Sequence, residues 1–180
     1  MAIVNLTAMS ALTAPADADV LYIVDDPASA ALPRKVTYGN IMQRAYGSVT
    51  VNNASTAQSL SASTWTKLTT FTADGLTKNT TNAHGSDKVT VTNAGVYLVT
   101  FTASFTTGAA TDAAIAVYWN GSASVAKTNR TTSAASDVAS VAVSGLVNAT
   151  AGTDFDVYAH LGAATTITIK DMVLTVVRVG

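Results

Sequence analysis

From Gly95 to Thr106 apolar residues recur at every second position, Tyr97, Val99, Phe101, Ala103 and Phe105, with Thr100, Thr102, Ser104 and Thr106 between them. Only a pleated strand sends alternate residues to one face, so this run predicts a long strand that buries one side and requires a sheet around it. The same period returns in Asp154–Leu161, where Phe155, Val157, Ala159 and Leu161 share a face, and in Val138–Val147 around Val141 and Val143. Further runs fit strands at Trp65–Phe71, Lys88–Thr92, Ala113–Trp119, Ser124–Thr128 and Thr165–Val179. Between two of them Asn120-Gly121 supplies the positive φ angles that a tight hairpin turn demands. Roughly eight strands joined by loops predict an all-β sandwich or barrel.

Composition agrees. All eleven acidic residues are Asp, and Glu, a strong surface helix former, is absent. The hydrophobic share of 48% is largely Ala and Val interleaved with Thr and Ser, which suits pleated strands rather than membrane spans. At 180 residues the chain has room for one main domain plus a small accessory segment. A net charge of -1, with charged residues at 12%, leaves no basic stripe for nucleic acid. Without cysteine there is no disulfide framework and no thiolate chemistry. The opening Met1-Ala2-Ile3-Val4-Asn5-Leu6 lacks a basic region and a continuous apolar stretch, so neither membrane insertion nor secretion is expected, and assembly in a cytoplasm is.

Residues 1–46 read as a separate module, since they hold all three prolines, Pro15, Pro27 and Pro33. The apolar run Leu21, Tyr22, Ile23, Val24, bounded by Asp19 and Asp25, can pair with Arg34-Lys35-Val36-Thr37 as a small hairpin. Thr37 then caps a helix of roughly two turns carrying Ile41, Met42 and Ala45 on one side and ending at Gly47. A unit this small is marginal alone and is expected to order against a partner. Residues 47–63, polar and small, read as a linker or an irregular strand, and residues 64–180 as the main domain.

The closing strand is apolar on both sides. Met172, Leu174 and Val176 lie on one face and Val173, Val177 and Val179 on the other. A strand of a two-sheet sandwich normally buries one face, so these six residues are the expected subunit contact.

From Trp65 to Val179 the chain resembles the tumour-necrosis-factor-like jelly roll, in particular the complement-type globular head. The features that carry this are Trp65, then Asp87-Lys88-Val89-Thr90-Val91 leading into Gly95-Val96-Tyr97-Leu98-Val99-Thr100-Phe101, then Ala116-Val117-Tyr118-Trp119-Asn120-Gly121. Ala139 to Val147 and Ala151-Gly152-Thr153-Asp154 before Phe155-Asp156-Val157 complete the order. Met172-Val173-Leu174-Thr175 departs from the family's usual Phe-Gly element. The resemblance implies a jelly-roll sandwich assembled as a homotrimer. The stretch Leu12–Asp25, followed by Arg34–Ile41, is similar to the short leader of bacteriophage fibre, spike and head-decoration proteins. That similarity implies a virion structural protein on the particle surface. Its N-terminal residues Leu21, Tyr22, Ile23, Val24, Arg34, Lys35, Ile41 and Met42 would attach to the capsid or another virion protein.

Catalytic residues are scarce. His160 lies opposite the apolar face of its strand and reads as solvent-facing or interfacial, and His84 lies in a turn-rich loop. Asp154 and Asp156 share a strand face but lack the oxygen-rich loop spacing of a calcium site, and read as solubilising charge. Asp154 with Asp171 is the one carboxylate pair to nominate for hydrolysis, and it is a weak one. No enzyme and no cofactor are expected. A candidate ligand loop remains: Trp119 and Asn120 at the hairpin tip, with Asn129 and Arg130, for a host surface glycan.

Overall fold

The computed structural model describes residues 20–25, 32–37, 44–135 and 137–180, with the backbone alone for 20–25, 32–37, 123 and 124. The chain divides between Arg44 and Ala45 into two units. In the first, β1 (Val20–Asp25) and β2 (Leu32–Thr37) pair antiparallel, with Tyr22 opposite Lys35 and Ile23 opposite Arg34. This is the expected hairpin. Pro33, which has no N–H to donate, is tolerated because each strand of a two-stranded ribbon keeps one open edge. Of the expected short helix, Ile41 and Met42 lie outside the described residues, but its expected end does not: Ala45 is buried without helical structure, and Gly47 stands in a strand from Tyr46 to Val51, so no helix runs to Gly47.

The second unit is a sandwich of two six-stranded antiparallel sheets. One runs in the order β12 (Ala139–Ala149), β9 (Gly95–Thr107), β14 (Thr165–Arg178), β3 (Tyr46–Val51) and β6 (Ala73–Lys78), and β4 (Ala57–Leu60) also pairs with β14. The other runs β11 (Ala123–Thr132), β10 (Thr111–Trp119), β13 (Asp154–Leu161), β8 (Lys88–Val91) and β7 (Thr80–Ala83), with β5 (Thr66–Lys67) also on β13. The expected alternation holds: Tyr97, Phe101 and Phe105 of β9 and Phe155, Val157 and Leu161 of β13 are fully buried between the sheets. Tyr97 and Phe155 meet across the gap at 6.5 Å between ring centroids. The Tyr97 hydroxyl escapes the apolar interior by donating to the Asn93 carbonyl at 2.7 Å. In the β10–β11 turn Asn120 and Gly121 have φ of 49° and 67°, as their sequence predicts.

Three expectations are corrected. Residues 47–63 are no linker, because β3 lies between β14 and β6 and buries Val49 and Val51, while β4 buries Leu60. Trp65–Phe71 is a strand only at Thr66–Lys67. Beyond it the backbone donors find side chains and a distant carbonyl, Thr69 N–H on Gln58 Oε1 and Phe71 N–H on Asp87 Oδ1, both at 3.0 Å, and Thr72 N–H on Thr50 O. Leu68 and Phe71 are both buried, Leu68 with one further backbone bond to β13, its N–H on Val157 O at 2.8 Å. The third concerns β14. A register shift between Ile169 and Asp171 switches its phase, so Ile167 and Ile169 before it and Met172, Leu174 and Val176 after it all face the core. Met172, Leu174 and Val176 therefore cannot meet a second subunit, because the sandwich itself covers them. Only Val173, Val177 and Val179 of the expected contact remain on the outside.

Candidate functional site

The two outer faces of the sandwich differ in chemistry. On the β9–β14 side, cross-strand register lines up Leu146 of β12, Leu98 of β9, Val177 of β14 and Tyr46 of β3 in one row. Leu146 is 67% exposed and Val177 36%. Val179, 56% exposed, extends the apolar band past the end of β14, where its N–H reaches Val96 O at 2.8 Å. The next rows hold small groups: Ser144, Thr100, Thr175 and Ser48, then Ala142, Thr102, Val173 and Thr50. Charge lies at the margins: Lys78 of β6 continues the apolar row past Tyr46, and beyond the small-residue rows Asp171 accepts from Asn53 N–H at 3.0 Å. A sheet face whose four other strands carry an apolar band and rows of small uncharged groups invites cover by another protein surface.

The face of the β10–β13 sheet carries aromatic and charged groups instead. Trp65 sits between Tyr118 and His160, with ring centroids at 5.8 and 5.3 Å, and Tyr118 packs on Tyr158 at 4.4 Å. The strands explain the cluster: Tyr118 lies opposite Asp156 and Ala116 opposite Tyr158, so outward-pointing residues of β10 and β13 form one surface beside the loop that carries Trp65. Next to it lies a groove of about 620 Å3 lined by Trp65, Asp112, Lys127, Asn129, Arg130 and His160. The candidate ligand loop is thus split. Asn129 and Arg130 line the groove, whereas Trp119 packs against the core and Asn120 is occupied in the turn, its Oδ1 accepting from Asp154 N–H at 2.9 Å. Sequence reasoning missed Trp65 and His160 as groove residues. The outward parity of His160 was the available signal.

Asp154 and Asp156 are not solubilising charge. Lys88 Nζ lies 2.7 Å from Asp154 Oδ2, and Lys67 Nζ lies 3.3 Å from Asp156 Oδ2, so each carboxylate has an ammonium where a cation would bind. Among the described residues no group of three or more His, Asp or Glu side chains could hold a metal ion. Asp154 and Asp171 belong to different sheets, which removes them as a hydrolytic pair. Desolvation holds the buried Asp156 carboxyl above the usual range, against the pull of Lys67, and its Oδ1 has no hydrogen-bond partner. A raised folded-state value means the fold binds that proton more tightly than the unfolded chain. The stabilising contribution is complete below the unfolded value and fades as pH rises through the folded one. Asp156→Asn, which cannot ionise, is therefore expected to gain stability relative to the wild type between about pH 4 and pH 7, read as urea midpoints at the two ends. A constant difference would contradict this.

The chain matches no family model and no curated protein sequence. Solved structures do share its fold. The Eiger TNF of S. frugiperda aligns with a TM-score of 0.54 at 11% identity, covering 76% of this chain and 92% of that one. The globular domain of the zebrafish complement 1qA protein aligns with 0.51 at 16% identity, covering 73% and 94%. Murine APRIL aligns with 0.52 at 14%, covering 74% and 99%. The head is a jelly-roll sandwich of this type.

Proposed function

We propose that this chain is a non-enzymatic virion structural protein, a homotrimeric capsid decoration, head spike or fibre of a bacteriophage. In this reading the N-terminal module fastens the protein to the capsid or another virion protein, and the jelly-roll head is exposed at the particle surface. The observation that carries it is the apolar row on the outer face of the β9–β14 sheet, with Leu146, Leu98, Val177 and Tyr46 aligned across four strands. A monomer gains nothing by exposing a Leu at 67%, and three such faces closing around an axis would remove it from water. The resemblance of the head to a trimer-building family and of the leader to virion attachment segments supports the same reading.

Two measurements test it on the full chain. Sedimentation at micromolar concentration should return three times the monomer mass, and a monomer would count against the trimer. Removing residues 1–44 should leave a folded head that no longer decorates purified particles. Undiminished particle binding would remove the role assigned to the N-terminal module.

A further inference from the structure

We propose that the groove on the outer face of the β10–β13 sheet binds an acidic saccharide, one sugar ring lying against the Trp65 indole and its carboxylate directed to Lys127. A volume of about 620 Å3 falls in the range of small-ligand sites. Trp65 is outside the hydrophobic core, yet it packs on both Tyr118 and His160 at interplanar angles of 53° and 47°. An aromatic ring already fixed in this way loses little freedom on binding, and its flat electron-rich face accepts the C–H face of a pyranose.

The rim supplies what hydroxyl groups need. The Asn129 amide offers donors and an acceptor, and Lys127 offers donors. Asp112 is held in place by Thr131, whose Oγ1 donates to Oδ1 at 2.6 Å, leaving its other oxygen to accept. Adjacent sugar hydroxyls present donor and acceptor side by side, and this mixed rim matches them. Charge selects within the class. On the outer face the Lys127 ammonium, paired through register with Ala116, is not ion-paired among the described residues, whereas the Asp112 carboxylate is already engaged by Thr131. The groove lies on the sheet opposite to the apolar face, so it stays open whether or not the chain trimerises, and its test stands apart from that of the trimer.

The experiment titrates the full chain with oligogalacturonate, sialyllactose and a hyaluronan hexasaccharide, with maltohexaose and lactose as neutral counterparts and poly-glutamate as an acidic peptide. Saturable binding of at least one acidic saccharide is expected, about tenfold or more tighter than the neutral sugars and the peptide. Trp65→Ala and Lys127→Ala should each weaken it about tenfold or more. Lys127 is exposed on an edge strand, so that variant keeps its thermal midpoint and remains decisive if Trp65→Ala fails to fold. Failure of every acidic saccharide to bind, unchanged affinity in Lys127→Ala, equal binding of neutral sugars, or preference for poly-glutamate would each overturn the proposal.

Discussion

Val177→Asp is expected to turn the proposed trimer into a folded monomer. Val177 lies in the apolar row between Leu98 and Tyr46 and points away from the core, which its neighbour Val176 fills. In an isolated head the new carboxylate meets solvent, so its cost to folding is small, of the order of 0.5 kcal/mol for a surface site. In the proposed trimer it would be buried without an adjacent counter-ion, since Tyr46 separates it from Lys78 in its own row and the row beside it carries only hydroxyl groups. Leaving a buried charge unpaired costs about 3–5 kcal/mol, and each such increment moves the dissociation midpoint by two decades or more in concentration. Sedimentation across a dilution series, with circular dichroism on the same samples, separates loss of assembly from loss of fold. A variant that still sediments as a trimer would place the subunit contact elsewhere.

Phe101→Ala should have the largest effect on the head itself, lowering its stability by about 3–5 kcal/mol. The ring is fully buried at the middle of β9, opposite Val143 on one side and Leu174 on the other, so no flexible neighbour can collapse into the space it leaves. Chemical denaturation followed by Trp fluorescence reads this as a fall in midpoint at unchanged slope. Leu146→Ala is the informative counterpart: the same kind of deletion on the exposed face should leave a dilute, dissociated head almost unchanged. A cost near 3 kcal/mol there would mean that Leu146 is packed within the monomer.

The alternating strands were legible because each buries one face against the opposite sheet, and alternation is the direct imprint of that. Phe101, Phe105, Phe155 and Leu161 were placed on the inner side on this ground alone. β3 was not separated from a linker, although Val49 and Val51 alternate with Ser48 and Thr50. Six residues among small polar ones carry little signal, and what fixes them is a ladder to β14, more than a hundred residues away. The two-sided apolarity of β14 was visible, but assigning both sides to a partner overlooked that the sandwich must take one. The phase shift at Ile169/Asp171 hid which side that was. The aromatic groove was half legible. Asn129 and Arg130 came from their place near a hairpin, while Trp65 joins Tyr118 and His160 only because three separate segments are brought together by pairing. Asp156 read as exposed because strand parity points it outward. Crowding by Lys67 at its side makes it a buried group.

Where the head begins and where it ends has a practical consequence. Ala45 O accepts from Arg178 N–H at 2.8 Å, so the first residue of the jelly roll is stitched to the end of the last strand. The turn at Gly108, whose N–H bonds Thr166 O, lies at the start of β14, about 45 Å away along the 14-residue strand. A peptide fused after Gly180 would emerge beside Ala45, where the chain enters the head, whereas one inserted between Gly108 and Ala110 would project from the far tip of the head. For displaying cargo the loop is the better site. The same stitch makes the head a natural candidate for circular permutation, with a short bridge from Gly180 to Ala45 and new ends opened at that distal turn.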